Sequence, residues 1–372
     1  MKKFQIRIVI IVGLLLAIFS SGIYFRLLSK QPSSGTREPS LSKDATILLE
    51  QGLPINQPSR FVLLSLPKHA FQTFNNCGPA TLSMVMSYYG IDKSQQELGK
   101  QLRPFQNPQG NNDDKSVTLP ELAKEAENYE LSSYYRPNGT IELLKLFVSN
   151  DIPVVTRTLL KAGGDIGHYR IVRGFDEDSK QIIQDDSLQG TNRRYSYDEF
   201  LTLWQPFGYE YLVLVPEEKE GLVKAILGKE QNESIAWTNS IVRHQREIGT
   251  NPQDPYPIFN QALSFYHLGQ YQKAIEAFEA VEAKLPYRIL WYQIEPILAY
   301  AKTGNVDRVF SLTDTILSNG NRAFSELYQI RGELYLESKN FDAAQREFEL
   351  AVFYNENFEP AKKALERLEE LK

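Results

Sequence analysis

The sequence predicts an α+β domain followed by an all-α repeat array, with an N-terminal membrane helix ahead of both. Three observations carry this. Strand-like apolar runs are confined to residues before 217. After that point a motif recurs at a spacing of 35. The stretch Ile8–Phe25 holds 18 residues without a charge, which reaches the lower limit for a spanning helix. Four segments follow: an anchor or signal (1–28), a flexible linker (29–54), the α+β domain (55–217) and the helical domain (218–372).

Lys2, Lys3 and Arg7 precede the uncharged stretch, and Arg26 and Lys30 follow it. The leading charges favour a cytoplasmic N-terminus, with the remainder of the chain outside. The segment reads as an uncleaved anchor, with a cleaved signal as the alternative. The linker contains 'SKQPSSGTREPSLSKD', rich in Ser, Pro and charge and without an apolar period. Hydrophobic residues make up 42 % of the chain and charged residues 23 %, as in globular proteins. A net charge of −5 supplies no basic field for nucleic acid. The single cysteine excludes an internal disulfide and any cysteine-based metal cluster. No cofactor or metal is expected.

Between residues 55 and 217, apolar runs at 152–159, 168–175, 180–185 and 209–216 predict strands. Helical periods are found at 118–129, 139–150 and 196–204, with Ser, Thr or Asn near several starts. The strands cluster late rather than alternating with helices, which argues against βαβ units. The polar stretch 104–116 reads as a lid or a long connection.

In the last third, segments starting at Leu268, Thr303 and Ser338 align. Tyr271, Val306 and Phe341 correspond, as do Ala274, Val309 and Ala344. Upstream, Ala262, Ile297 and Gly332 recur, with Phe265, Tyr300 and Tyr335 as a further set. The middle copy is degenerate: Thr313 stands where Phe278 and Phe348 stand in the others. This pattern resembles the tetratricopeptide repeat. Residues 359–371 read as its capping helix, and the segments near 220–228 and 235–249 as the helices that dock the array.

The chemistry centres on 'FQTFNNCGPATLSMVMSYYG' (71–90). Pro79 suits a first helical turn and Gly90 a helix end, so a helix starts at Cys77. A helix N-terminus favours the thiolate, the nucleophilic form. Leu82, Val85 and Met86 form an apolar face, so only the first turn is expected to face a cleft. Of four histidines, His168 opens a strand after the turn 'KAGGDIG' and can act as a base. His69 flanks the site, and His244 and His267 lie among the helices. Asp185 and Asp186 end the next strand, where either can orient His168 or simply serve a turn. The amide of Gln72, with the backbone N–H of Cys77, can hold an oxyanion.

Gln72 and 'NNCGPATLSM', then 'GHYRIVRGFD' and 'DDSLQG', resemble the papain-like cysteine peptidases of the bacteriocin-processing, double-glycine leader type in their stand-alone form. The resemblance covers about residues 55–217. It implies Cys77 as nucleophile, His168 as general base, Gln72 as oxyanion donor and Asp186 as the acid, because Ser187 and Gly190 follow it as in that family. Asp185 is the alternative acid. The expectation is a membrane-tethered, extracytoplasmic cysteine peptidase acting on a peptide or protein, with a protein partner on the repeats. A non-catalytic scaffold and an acyl or peptidyl transferase are the alternatives.

Overall fold

The structure, a computed structural model, describes residues 54–105 and 115–371. The expected N-terminal anchor or signal, nearly all of the linker and most of the 104–116 stretch lie outside the described residues. Among the described residues, no helix is long and apolar enough to cross a membrane. An α/β region is followed by a helical region, and the two form one compact unit over Leu53–Lys372.

The first region contains β1 (Phe61–Leu63), α1 (Cys77–Tyr88), α2 (Gln95–Leu102), α3 (Leu119–Glu127), β2 (Leu131–Arg136) and α4 (Ile141–Ser149). It continues with β3 (Val154–Leu159), β4 (Gly167–Asp176), β5 (Gln181–Asp186), β6 (Gly190–Ser196), α5 (Tyr197–Trp204) and β7 (Tyr211–Pro216). The sheet runs β2-β7-β3-β4-β5-β6, and every pairing is antiparallel. The α+β expectation is met in this pattern. Strand β4 is shared along its length: β3 pairs with Gly167–Val172, and β1 pairs with Gly174–Asp176.

Both faces of the sheet are covered, which is why 'YLVLVP' reads as a continuous apolar run. Val154, Val172, Val213 and Val215 pack with α4 and α5 on one side. Val155, Tyr169, Ile171, Leu212 and Leu214 pack with α1, α2 and α3 on the other. Helices α2, α3 and α5 each start with a capping box, built on Ser94–Glu97, Thr118–Glu121 and Ser196–Glu199.

The helical region holds α6 (Glu220–Leu227), α7 (Glu233–Thr250), α8 (Pro255–His267), α9 (Tyr271–Glu279) and α10 (Glu295–Lys302). It ends with α11 (Val306–Ser318), α12 (Ser325–Glu337), α13 (Phe341–Tyr354) and α14 (Glu359–Leu371). Helices α9, α11 and α13 start at the spacing of 35 read from the sequence. Gly269, Gly304 and Lys339 occupy the same left-handed turn position, with φ of 71°, 74° and 59°. Gly332 lies against Phe348, and a Cβ there would come within 2.3 Å of its ring.

Helices α6 and α7 dock the array as expected. Val223, Ile226 and Leu227 join the core of the first region, Arg243 donates to the Gly139 carbonyl (2.7 Å), and Tyr209 stacks on His244. The contact also extends well beyond them. Lys115 bridges Glu121 and Glu326, Phe105 packs on Tyr354, and Asn357 donates to the Lys100 carbonyl.

Gly174 sits at a bulge where β4 changes partner from β3 to β1. A Cβ there would lie 2.6 Å from the Val62 carbonyl oxygen, which is backbone and cannot swing aside. Gly174→Ala is therefore expected to cost about 1–3 kcal/mol of stability, read as a fall in denaturation midpoint. A midpoint unchanged from wild type would show that β1 does not hold this position.

Candidate active site

Helix α1 begins at Cys77, as its sequence predicts. Its N-cap residue, Asn76, makes no side-chain cap. The Asn76 amide instead donates to the backbone oxygen of Gln95 (3.2 Å) and to its Oε1 (3.1 Å). The first helical bond is Ala80 N–H to the Asn76 carbonyl. The N–H groups of Cys77 and Gly78 precede it and have no intrahelical acceptor. The preceding Asn75 takes a left-handed conformation, φ 52°. Buried Arg103, at the end of α2, donates to the carbonyls of Asn75 and Phe74 and so fixes this approach to the thiol.

The first turn does not face an open cleft. Cys77 is only 5 % exposed, and Gly78, Pro79 and Ala80 are buried too. This differs from the expectation, because the strand holding His168 and the apolar residues of α3 close over the turn. A Cβ on Gly78 would touch Val117, Leu122 and Tyr169.

His168 lies on β4 and is 3 % exposed. Its Nε2 meets Asp186 Oδ1 at 2.8 Å, and its ring lies close enough to the Cys77 thiol for each to shift the other's pKa, the thiol's down and the imidazole's up. With Nε2 engaged by Asp186, Nδ1 is the ring nitrogen that remains to exchange a proton. Asp186 is the β5 residue directly paired with Arg170 of β4, two residues from His168 on the same face. Asp186 Oδ2 accepts from Arg170 Nε at 2.8 Å. Its Oδ1 also accepts from the N–H groups of Leu188 (2.7 Å) and Gln189 (2.9 Å). The turn role and the histidine contact considered for this doublet thus belong to one carboxylate.

Successive strand residues point to opposite faces, which sends Asp185 elsewhere. Asp185 accepts both contacts from Arg173 Nη1, at 2.9 and 3.1 Å. Arg173 can reach it because it lies two residues along β4 from Ile171, the partner of Asp185, and so shares its face. Gln72 is joined to the far side of the site. Its N–H donates to the Ser187 carbonyl, and its Oε1 accepts from Ser187 Oγ (2.8 Å). That leaves its Nε2 as the donor end. His69 Nε2 lies 3.1 Å from the Asp186 carbonyl, a flanking position as expected. His244 and His267 are far along the helices, against Tyr209 and Trp237.

The charges form a gradient. Burial alone would raise the Cys77 pKa, but the bond and charge of His168, the Tyr169 N–H and Arg103 outweigh it and lower it. Burial works against the His168 cation, yet its bonds to Asp186 and Cys77 raise its pKa above the ordinary value. Asp186, despite burial, is held well below the carboxylate range by His168 and Arg170. Arg103, pushed down to about 10 by burial, remains charged at neutral pH. Arg103 and Arg170 carry no sequence signal that marks them. Only the fold brings them to the site. Among the described residues, no group of acidic, histidine and cysteine side chains could hold a metal ion.

Residues 54–212 match the Peptidase_C39 like family. The resemblance drawn from the Cys77, His168 and Asp186 motifs is to the same family. A Bacillus anthracis protein described as C39-like is 17 % identical, with TM-score 0.36, covering 43 % of this chain and 99 % of that one. A double glycine motif protease from an AMS/PCAT transporter, solved with the leader peptide, is 19 % identical, with TM-score 0.33 and coverage of 43 % and 98 %. The repeats are similar to a thermophilic TPR protein of Thermus thermophilus, at 21 % identity, TM-score 0.29 and coverage of 38 % and 77 %. No curated protein matches the chain.

The folded pKa of Asp186 lies below its ordinary value near 3.9. The ionised carboxylate therefore stabilises the fold above that value, and the contribution is lost as pH falls through the depressed one. Asp186→Asn removes this term and leaves Arg170 buried without its counter-charge, a loss of about 3–5 kcal/mol at neutral pH. Thermal unfolding against pH should show a lower neutral plateau and a flatter acid limb. A profile matching wild type would mean that Asp186 is not ionised in the fold.

Proposed function

We propose that the chain is a cysteine peptidase in which Cys77, His168 and Asp186 act as a triad. The observation that supports this most is the placement of His168, held by Asp186 at 2.8 Å and set beside the buried Cys77 thiol. In this reading the Cys77 thiolate attacks the carbonyl carbon of a peptide bond. The oxyanion is received by the Cys77 N–H and the Nε2 of Gln72. His168 gives its proton to the leaving amine as the C–N bond breaks, leaving a thioester on sulfur. Water that has lost a proton to His168 then attacks the thioester and frees the acid and the thiolate. Asp186 holds the imidazole in the orientation that serves both transfers.

The family match supports a peptide as substrate. The 35-residue spacing supports reading the helical region as tetratricopeptide repeats that bind protein. The uncharged stretch after Lys2, Lys3 and Arg7 supports tethering at a membrane, with the enzyme outside the cytoplasm.

The rate of Cys77 alkylation by iodoacetamide, followed from pH 4 to 9, tests the pair. The thiolate limb is expected below the free-thiol value of about 8.5, because the folded Cys77 pKa is lowered. His168→Ala should move that limb upward, since it removes the cation while the burial remains. Asp185→Asn, which touches Arg173 and the Asn192 N–H but not His168, should leave the limb in place. An identical limb with and without His168 would sink the peptidase reading.

A further inference from the structure

The spacing of 35 sets where each first helix of a repeat should begin. Helix α8 starts at Pro255 and α12 at Ser325, so the middle one is due at 290. It starts at Glu295, five residues late. The residues that leave the helix are used on the α/β region. Buried Arg157 of β3 donates to the Tyr292 carbonyl (3.2 Å), and Gln293 Nε2 donates to the Pro206 carbonyl (3.2 Å). The Tyr292 ring lies edge-on to Phe207, with centroids 5.9 Å apart.

Together these two rings close over Gly167, the neighbour of His168. A Cβ on Gly167 would meet Phe207 at 3.0 Å and Tyr292 at 3.4 Å. Arg288 pairs with Asp165 at 2.6 Å and holds the turn that leads into β4. A cavity of about 50 Å³ lies between Asn75, Ile166 and Gly167 on one side and Arg288, Trp291 and Tyr292 on the other. The helical region therefore supplies one wall of a cavity whose other wall includes Gly167, the residue before His168, and Asn75, two residues before Cys77.

We propose that Tyr292 is a positioning residue for His168, and that the helical region completes the catalytic site rather than only recruiting to it. This rests on the Cys77–His168 reading above. His168 is set by Asp186 along one axis, through Nε2. Its backbone is paired with β3 at Thr158, but Gly167 stands at the first position of β4, next to a glycine-rich turn (Gly163, Gly164) whose Ile166 side chain is exposed, so packing there bears on how the strand end is placed. Tyr292 supplies that packing on Gly167. The charged and titratable groups around the pair are Asp186 and Cys77 at the ring, Arg170 behind Asp186 and Arg103 behind the thiol. Tyr292 has no hydrogen bond to the side chains of these four; the cations beside it are Arg157 and Arg288, and its hydroxyl is turned to the Gly167 backbone, so it acts on the placement of the strand end.

The test uses the full chain and compares Tyr292→Ala, Tyr292→Phe, Asp165→Asn and His168→Ala. Two quantities are read: the pH dependence of Cys77 alkylation by iodoacetamide, and thermal unfolding. Tyr292→Ala is expected to lower the rate below pH 6 by about tenfold, as a displaced base does, with its limb moved toward that of His168→Ala. Tyr292→Phe keeps the ring and should restore the wild-type profile. Asp165→Asn loosens the turn from a partly exposed position and should shift the limb less, in the same direction. A lower unfolding temperature with an unmoved limb in Tyr292→Ala makes the residue merely structural and overturns the proposal. If that variant does not fold, an unmoved limb in Asp165→Asn overturns it instead. Should His168→Ala itself leave the limb unmoved, the Cys–His reading fails and carries this proposal with it. A limb that moves in His168→Ala but not in Tyr292→Ala removes the positioning role alone.

Discussion

A carboxylate with no exposure to water has to be neutralised by what surrounds it, and Asp186 is such a group. It is met by the Arg170 guanidinium, the His168 ring and two backbone N–H groups of the turn that follows. The partners come from two pieces of local structure, His168 and Arg170 from β4 and the two N–H groups from the turn after β5. Arg170 also donates to the Leu159 and Leu160 carbonyls and to Thr158, which ties β3 to the same point. The turn after β5 carries Ser187, and Ser187 holds Gln72 on the approach to α1. The requirement to satisfy one buried charge thus fixes strand register, turn shape and the two ends of the site together.

The same constraint explains why a weak sequence signal becomes a defined geometry. Asp185 and Asp186 are adjacent and chemically alike, so the sequence by itself leaves two candidates for one role. Strand alternation separates them by a whole sheet face. Each face then provides its own arginine, Arg170 for Asp186 and Arg173 for Asp185. The odd spacing of the two arginines along β4, three residues, is what lets them serve opposite faces.

Elements with a strong apolar period were legible: β3, β4, β5, β7, α3, α4 and α5 lie close to where periodicity sets them. The start of α1 at Cys77 was legible from Pro79 and Gly90. Less legible were β2 ('LSSYYR'), β6 ('GTNRRYS') and α2 ('QQELGKQL'), whose residues are largely polar. Their hydrogen bonds come from neighbours, β7 and β5 for the strands, and a pattern of side chains does not record a neighbour. β1 has three residues and is too short to show a period. Within the site, Cys77, His168 and Gln72 stand in motifs that a reader can pick out. Arg103 does not, since its part is to hold the Phe74 and Asn75 carbonyls from 28 residues away in sequence. The burial of the first turn of α1 was likewise hidden, because Val117 and Tyr169 reach it from other elements.

The seam between the α/β and helical regions bears on how the two work. Exchangeable modules meet through exposed, polar surfaces. Here Arg157 is 2 % exposed, with its guanidinium near the rings of Tyr169, Phe207 and Tyr292 and 3.7 Å from Glu210. Glu210, whose pKa burial pushes up, accepts from Tyr135 at 2.8 Å. Separating the regions would leave Glu210 its partners Arg157 and Tyr135 but take from buried Arg157 the carbonyl and ring of Tyr292, on the strand next to the one that carries His168. The irregular turns at 286–294 have the same origin. A regular middle repeat would form helix there, and helix would withdraw Tyr292 from Gly167. The late start of α10 goes with this contact: a single 3-10 turn over Ile289–Trp291 replaces the first α-helical turn, and the residues after it set the Tyr292 carbonyl against Arg157 and the Gln293 amide against the Pro206 carbonyl.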